Sequence, residues 1–148
     1  MTFGTGKYQY DYADGWLKTP LGWEWGWIPA IACDSQDRVF VYSRSAHPLA
    51  VFDREGNFVE TWGEGVLTPM CAHGLHIDAD DNVYCVDVTN HTVYKFNKTG
   101  QLTLTLGTHG QKASADGEPF NMPTDIDIAS NGDLLVSDGY GNARVHRF

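Results

Sequence analysis

Three side chains in this 148-residue sequence have types that could do chemistry together: His73, Arg44 and Tyr140. A neutral imidazole is the usual zinc ligand, and His73 opens an apolar stretch beginning HGL, where it reads either as a metal ligand or as a solvated polar residue facing a channel. Arg44 follows the alternating run VFVY after a single serine. A planar guanidinium there suits two-point capture of a carboxylate, or it pairs with Asp87 or Asp138 at the ends of matching strands. Tyr140 lies in SDGYGNAR. Its hydroxyl could remove a proton only if a metal or arginine lowered its pKa from about 10; otherwise it anchors a loop. Asp87 and Asp138 read as turn-capping residues. The other histidines (His47, His76, His91, His109 and His146) lack any paired metal spacing and read as loop or surface positions. No GxSxG, phosphate-cradling glycine loop or helical HExxH is present.

The elements that must position these residues show as a repeat. IPAIACDSQDRVFVYSR from Ile28, AHGLHIDADDNVYCVDV from Ala72 and PTDIDIASNGDLLVSDG from Pro123 superimpose. Each reads as a short apolar strand, a polar turn and a β-branched or aromatic strand. The first two continue through LAVFD and NFVETWG, and through TVYKFN and QLTLTLG, joined by the hairpin turns REGN and NKTG. This predicts an all-β fold of four-stranded antiparallel meanders, each the size of a propeller blade. Such a blade cannot bury both faces alone, so blades must stack around an axis. A sandwich, the competing all-β fold, predicts no such self-similarity.

Lettering the strands a to d outward, the sequence predicts blade 1 at 28–63, blade 2 at 72–107 and strands a to c of blade 3 at 120–148. The alternating YQYDY at 8–12 reads as an isolated outer strand d. Three blades are half of a six-bladed ring, so the expectation is a homodimer in which each copy's 8–12 strand completes the other's third blade. Burying two blade faces could remove roughly 2,000 Å² from water, enough for a stable interface. The competing expectation is a truncated propeller needing a missing second half.

Composition bounds the partners. A net charge of −9 and a pI near 4.8 argue against nucleic acid or an anionic membrane surface. No apolar run is long enough for a membrane span and MTFGTGKYQY lacks the pattern of a signal peptide, so a soluble, cytoplasmic protein is the default expectation. Cys33, Cys71 and Cys85 match no zinc-knuckle or CxxC spacing; Cys33 and Cys85, in apolar strands, are expected as buried thiols. Trp16, Trp23, Trp25 and Trp27 could form a stacking platform for sugars, but more simply plug one face of the ring. The polar stretch 107–120 is expected to border a ligand funnel.

The quoted repeats resemble NHL repeats, and more closely the propeller of peptidyl-α-hydroxyglycine α-amidating lyase and its bacterial relatives. DRVFVYSR, the HGL at 73–75, PFNMPTDIDI and SDGYGNARVHRF carry that resemblance. It implies a channel zinc held by three histidines, one corresponding to His73, with Tyr140 as base and Arg44 on the substrate carboxylate. It also implies a structural calcium with carbonyl ligands at Ile31 and Leu75. The chain departs from the pattern: the positions equivalent to His73 are Pro29 and Thr124, and the remaining zinc histidines are missing. A two-fold dimer would bring two imidazoles into one channel rather than three.

Two functions therefore stand. The first is a non-catalytic module binding a small anionic or peptide ligand, or a protein, at a central channel. The second is a lyase-like metalloenzyme completed by dimerisation or by a missing half.

Overall fold

The structure is a computed structural model in which residues 1–113 and 120–148 are described. The polar stretch 107–120 thus lies, over 114–119, outside the described residues. The regular elements are β-strands. Sheet I is β3 (Ala30–Cys33), β4 (Val39–Tyr42), β5 (Leu49–Phe52) and β6 (Phe58–Trp62). Sheet II is β7 (Ala72–Ile77), β8 (Val83–Asp87), β9 (Thr92–Phe96) and β10 (Leu102–Leu106). Sheet III is β11 (Asp125–Ile128), β12 (Leu134–Asp138) and β13 (Arg144–Arg147). In each sheet consecutive strands pair antiparallel, the meander that the repeats predict.

The turns explain why the strands break where they do. Asp34 Oδ1 accepts hydrogen bonds from the Gln36 and Arg38 amides, and Asp78 Oδ1 from those of Asp80 and Asn82. Asp37, Asp81 and Gly132, equivalent in the three repeats, have φ of 60°, 61° and 91°. That left-handed step is tolerated by aspartate and natural to glycine, and it closes each turn. Asp53 and Asn97 cap the outer hairpins in the same way, taking the amides of Asn57 and Gln101.

The sheets stack face to face. Phe40, Tyr42, Leu49, Val51 and Trp62 of sheet I pack on Leu75, Val83, Cys85, Tyr94 and Phe96 of sheet II. The other face of sheet II, with Tyr84, Val86 and Val93, meets Ile126 and Val136 of sheet III, with Phe120 between them. The innermost strands lie in the order β3, β7, β11. The sheets form an open series rather than a closed ring. Leu17, Trp23 and Trp25 cover the remaining face of sheet I against Val41, Ala50 and Phe52. Those tryptophans therefore act as a lid on a sheet, and Trp27 stays exposed.

Two other details differ from the sequence reading. Residues 8–12 are not an isolated strand: β2 (Tyr8–Asp11) pairs with β1 (Thr2–Thr5) in a hairpin exposed along both strands. Cys85 is buried as expected, and burial raises its thiol pKa, but Cys33 is exposed because the alternation of β3 turns it outward.

Each second strand ends in a buried polar residue that ties the next turn. Asp87 accepts from the Asn90 amide and side chain; Asp138 accepts from the Asn121 amide, Asn142 Nδ2 (2.6 Å) and His146 Nε2 (3.1 Å). These are the capping roles expected of them. In the first repeat the position is Ser43, bonded to Ser45 Oγ at 2.8 Å.

Two predictions follow from this core. Tyr42 is fully buried and its hydroxyl has no hydrogen-bond partner among the described residues. Tyr42→Phe is expected to leave stability unchanged or raise it by about 1 kcal/mol, measured by urea unfolding. His91 Nδ1 accepts the Met122 amide at 3.0 Å, so the ring must be neutral; burial, partly offset by Asp138, lowers its pKa. A depressed histidine pKa contributes stability above the unfolded value of about 6.5, lost as pH falls through the folded value. The urea midpoint should therefore drop between pH 7 and pH 5, and less steeply in His91→Leu.

Candidate functional site

Pro29, His73 and Thr124, the first-strand positions that correspond in the three repeats, line one cleft together with Ile31, Leu75 and Asp125. Stacking of the sheets has brought equivalent positions side by side, and only one of the three carries an imidazole.

His73 is held on both nitrogens. Its Nδ1 lies 2.6 Å from the Thr124 carbonyl, which can only accept, so Nδ1 carries the proton. Its Nε2 lone pair then faces the Tyr140 hydroxyl at 3.1 Å, and that O–H donates to it. The two rings meet edge to face at 5.5 Å. Fixing one ring nitrogen on a backbone carbonyl while presenting the other is how proteins orient a ligating histidine. Thr124 is fixed in turn: its amide donates to the Ser137 carbonyl at 2.7 Å and its hydroxyl meets Ser137 Oγ at 2.8 Å.

Gly74 makes this contact possible. A Cβ there would stand 2.5 Å from Asp125 Oδ1 and 2.7 Å from both Asp125 Cα and the Thr124 carbonyl oxygen. The glycine of HGL is thus a spacing device that lets β7 and β11 approach until His73 reaches Thr124. Gly141 does the same for the Tyr140 turn, where a Cβ would lie 2.2 Å from the Asn121 carbonyl oxygen.

Arg44 is near this site but lines the neighbouring cleft, with Trp23, Trp25, Ser45 and His47. Its Nε donates to the Ala72 carbonyl at 3.0 Å, one residue before His73, and its guanidinium lies over the Trp27 ring at 5.6 Å. It does not pair with Asp87 or Asp138, whose oxygens already serve the turns. Its two Nη groups make no hydrogen bond to the described residues. Trp23 stacks on His47 at 3.9 Å and 10°, forming one wall of that cleft. Of the calcium-type positions, Ile31 is 66% exposed and Leu75 is buried; both border the His73 cleft.

The sequence pointed to His73, Arg44 and Tyr140. It missed the Thr124 carbonyl and the Trp27 ring, for which no spacing pattern exists. The remaining histidines have structural partners: His76 with Asp127 (3.5 Å), His109 with Tyr94, and His146 with Asp138. Among the described residues no three His, Cys, Asp or Glu side chains converge to hold a metal ion.

The stacked four-stranded meanders define a class by fold, the propeller type, and residues 120–148 match the NHL repeat. Within that class the chain is similar to peptidyl-alpha-hydroxyglycine alpha-amidating lyase 1 of Drosophila melanogaster, at 37% identity over 108 residues, 71% of this chain and 19% of the relative. It is also similar to NHL repeat-containing protein 3 of Homo sapiens, at 30% identity over 152 residues, 95% of this chain and 43% of the relative. Virginiamycin B lyase from Staphylococcus aureus shares the fold with a TM-score of 0.58 at 18% identity, over 84% of this chain and 40% of that one. The chain thus spans less than half the length of these relatives. No helix is long and apolar enough to cross a membrane among the described residues.

Gly74→Ala tests how the site is built. Overpacking at a strand contact costs about 1–3 kcal/mol, so a lower melting temperature is expected. The His73 imidazole NMR signals should also move, because Nδ1 loses the Thr124 carbonyl. Unmoved signals would mean that the two strands do not depend on the glycine.

Proposed function

We propose that this chain is a ligand-binding NHL-repeat module, and that a small carboxylate-bearing ligand, such as a peptide C-terminus, docks where Arg44 and the His73 and Tyr140 pair open beside each other. The observation that carries this reading is the Arg44 fork: Nε is fixed on the Ala72 carbonyl, the guanidinium lies over the Trp27 ring, and the two Nη groups make no hydrogen bond to the described residues, which leaves them for two parallel bonds to a carboxylate. A guanidinium so oriented loses little freedom on binding.

Catalysis by this chain alone is not part of the reading. Catalytic zinc requires three protein ligands and an open position. His73 fits one such ligand, while Pro29 and Thr124 cannot supply the others. The donor set does not fit a catalytic zinc, and at Ile31 and Leu75 a calcium would find backbone carbonyls only.

One observation favours a second reading, an amidating-lyase-type metalloenzyme whose other ligands come from further blades. The proton on Nδ1 leaves Nε2 with the lone pair a metal needs, next to a tyrosine hydroxyl, and the relatives named above include an amidating lyase.

Calorimetry with N-acetylglycine and its uncharged amide separates the readings. The acid is expected to bind and the amide to bind much more weakly. A charge-assisted hydrogen bond contributes about 1.5–3 kcal/mol, so Arg44→Ala should weaken the acid roughly 10- to 100-fold while the circular dichroism spectrum is kept. Equal affinity for acid and amide would refute carboxylate docking. One zinc per chain, lost in His73→Ala, together with turnover of a peptidyl-α-hydroxyglycine, would replace the first reading by the second.

A further inference from the structure

Residues 22–27 run antiparallel to residues 44–47, the turn that follows β4. Two contacts pin them together. The Arg44 amide donates to the Trp27 carbonyl at 2.8 Å, and at the other end the Trp23 indole stacks on His47. Gly26 lets the two backbones come this close, because a Cβ there would collide with the Arg44 carbonyl oxygen. The cleft they enclose has a volume of about 430 Å³, the size of a small-molecule site.

This cleft holds two opposite charges that do not meet. The Arg44 guanidinium is tied at its Nε to the Ala72 carbonyl and lies over the Trp27 ring. Glu24 lines the same cleft, and its carboxylate has no hydrogen bond or ion pair among the described residues. By contrast, Asp87 and Asp138 serve turn donors, and Asp125 in the neighbouring cleft accepts the Ile126 amide. Trp23 and Trp25 pack on sheet I, whereas Glu24 between them is exposed. That alternation is the mark of an extended segment, which sets Glu24 three residues, or roughly 10 Å, from Trp27, the residue paired with Arg44.

We propose that Glu24 is a second anchor in this cleft, and that the ligand docked on Arg44 is a peptide of two or three residues whose free amino end sits, as an ammonium, on the Glu24 carboxylate. The inference rests on carboxylate docking at Arg44 and adds to it the other end of the ligand.

Length and chemistry both fit. An extended peptide gains at most about 3.3–3.6 Å per residue, so two or three residues match the separation of the anchors. A free amino acid carries both charges on one carbon and cannot reach from one to the other. The indoles of Trp23 and Trp25 line the cleft on either side of Glu24 in sequence, and aromatic rings beside a carboxylate strengthen the hold on a cation. A longer peptide would have its amino end elsewhere, leaving Glu24 without a partner.

Calorimetry with triglycine and N-acetyltriglycine tests this. Triglycine is expected to bind roughly 2- to 5-fold more tightly, the gain of an exposed ion pair. Glu24→Gln should abolish that preference and leave the affinity for the acetylated peptide unchanged. Glu55→Gln makes the same change of charge in the turn between β5 and β6, at the far end of the strands, and should keep the preference. Equal affinity for the two peptides, or a preference that survives Glu24→Gln, would overturn the second anchor while carboxylate docking stands. Should neither peptide bind, docking at Arg44 itself fails and the second anchor falls with it. Circular dichroism of both variants checks that the fold is kept.

Discussion

Sheet II is apolar on both of its faces, and this constraint shapes the rest of the molecule. β8 is buried along its whole length, with Val83 and Cys85 turned to sheet I and Tyr84 and Val86 to sheet III. Burial of apolar surface is favourable by roughly 25 cal/mol per Å², so neither face can be left in water. A single meander has no way to satisfy this, because its strands cover only each other's edges. Neighbouring sheets must be laid on both sides, and the turning axis follows from stacking twisted sheets that share a common inner edge.

The site is a by-product of that stacking. Once β3, β7 and β11 lie side by side, positions that correspond in the repeats become neighbours in space, whatever residues occupy them. Pro29, His73 and Thr124 form such a row. The middle member supplies the imidazole and the third supplies a backbone carbonyl that sets its tautomer. Gly74 controls how near the two strands come, so packing and chemistry meet at one residue. A polar ring placed by a repeat can gain or lose chemical function by substitution of one row member, while the sheets beneath remain as they are.

Much of the fold was legible in the sequence because propeller strands are local: each pairs with the next, across turns of a few residues with aspartate, asparagine or glycine at fixed places. What was not legible depends on contacts between distant residues. His73 and Thr124 are 51 positions apart, and Arg44 meets Ala72 across 28. No pattern announces such pairs. Cys33 looked buried because its strand is apolar, yet β3 is an innermost strand with one exposed side, and alternation turns Cys33 to that side with Ile31. The hairpin was read as one strand because TFGT carries little strand signal, and pairing with β2 rather than propensity makes β1 extended.

The charge distribution bears on how a chain of net charge −9 would hold the proposed carboxylate. In an antiparallel meander the turns alternate between two ends of the sheet. At one end, Asp34, Asp53 and Asp78 cap turns with their side chains, and Asp37 and Asp81 take the left-handed position. Their charges are thus committed to local backbone geometry, far along the strands from Arg44. At the other end, Asp87 and Asp138 are buried and consumed by amides and side-chain donors. Arg44 donates to one backbone carbonyl and lies over an aromatic ring, and Glu24, which lines the same cleft, forms no ion pair with it. A carboxylate partner would have neutralised the guanidinium; a carbonyl only orients it, which is the condition the proposed docking of a carboxylate requires.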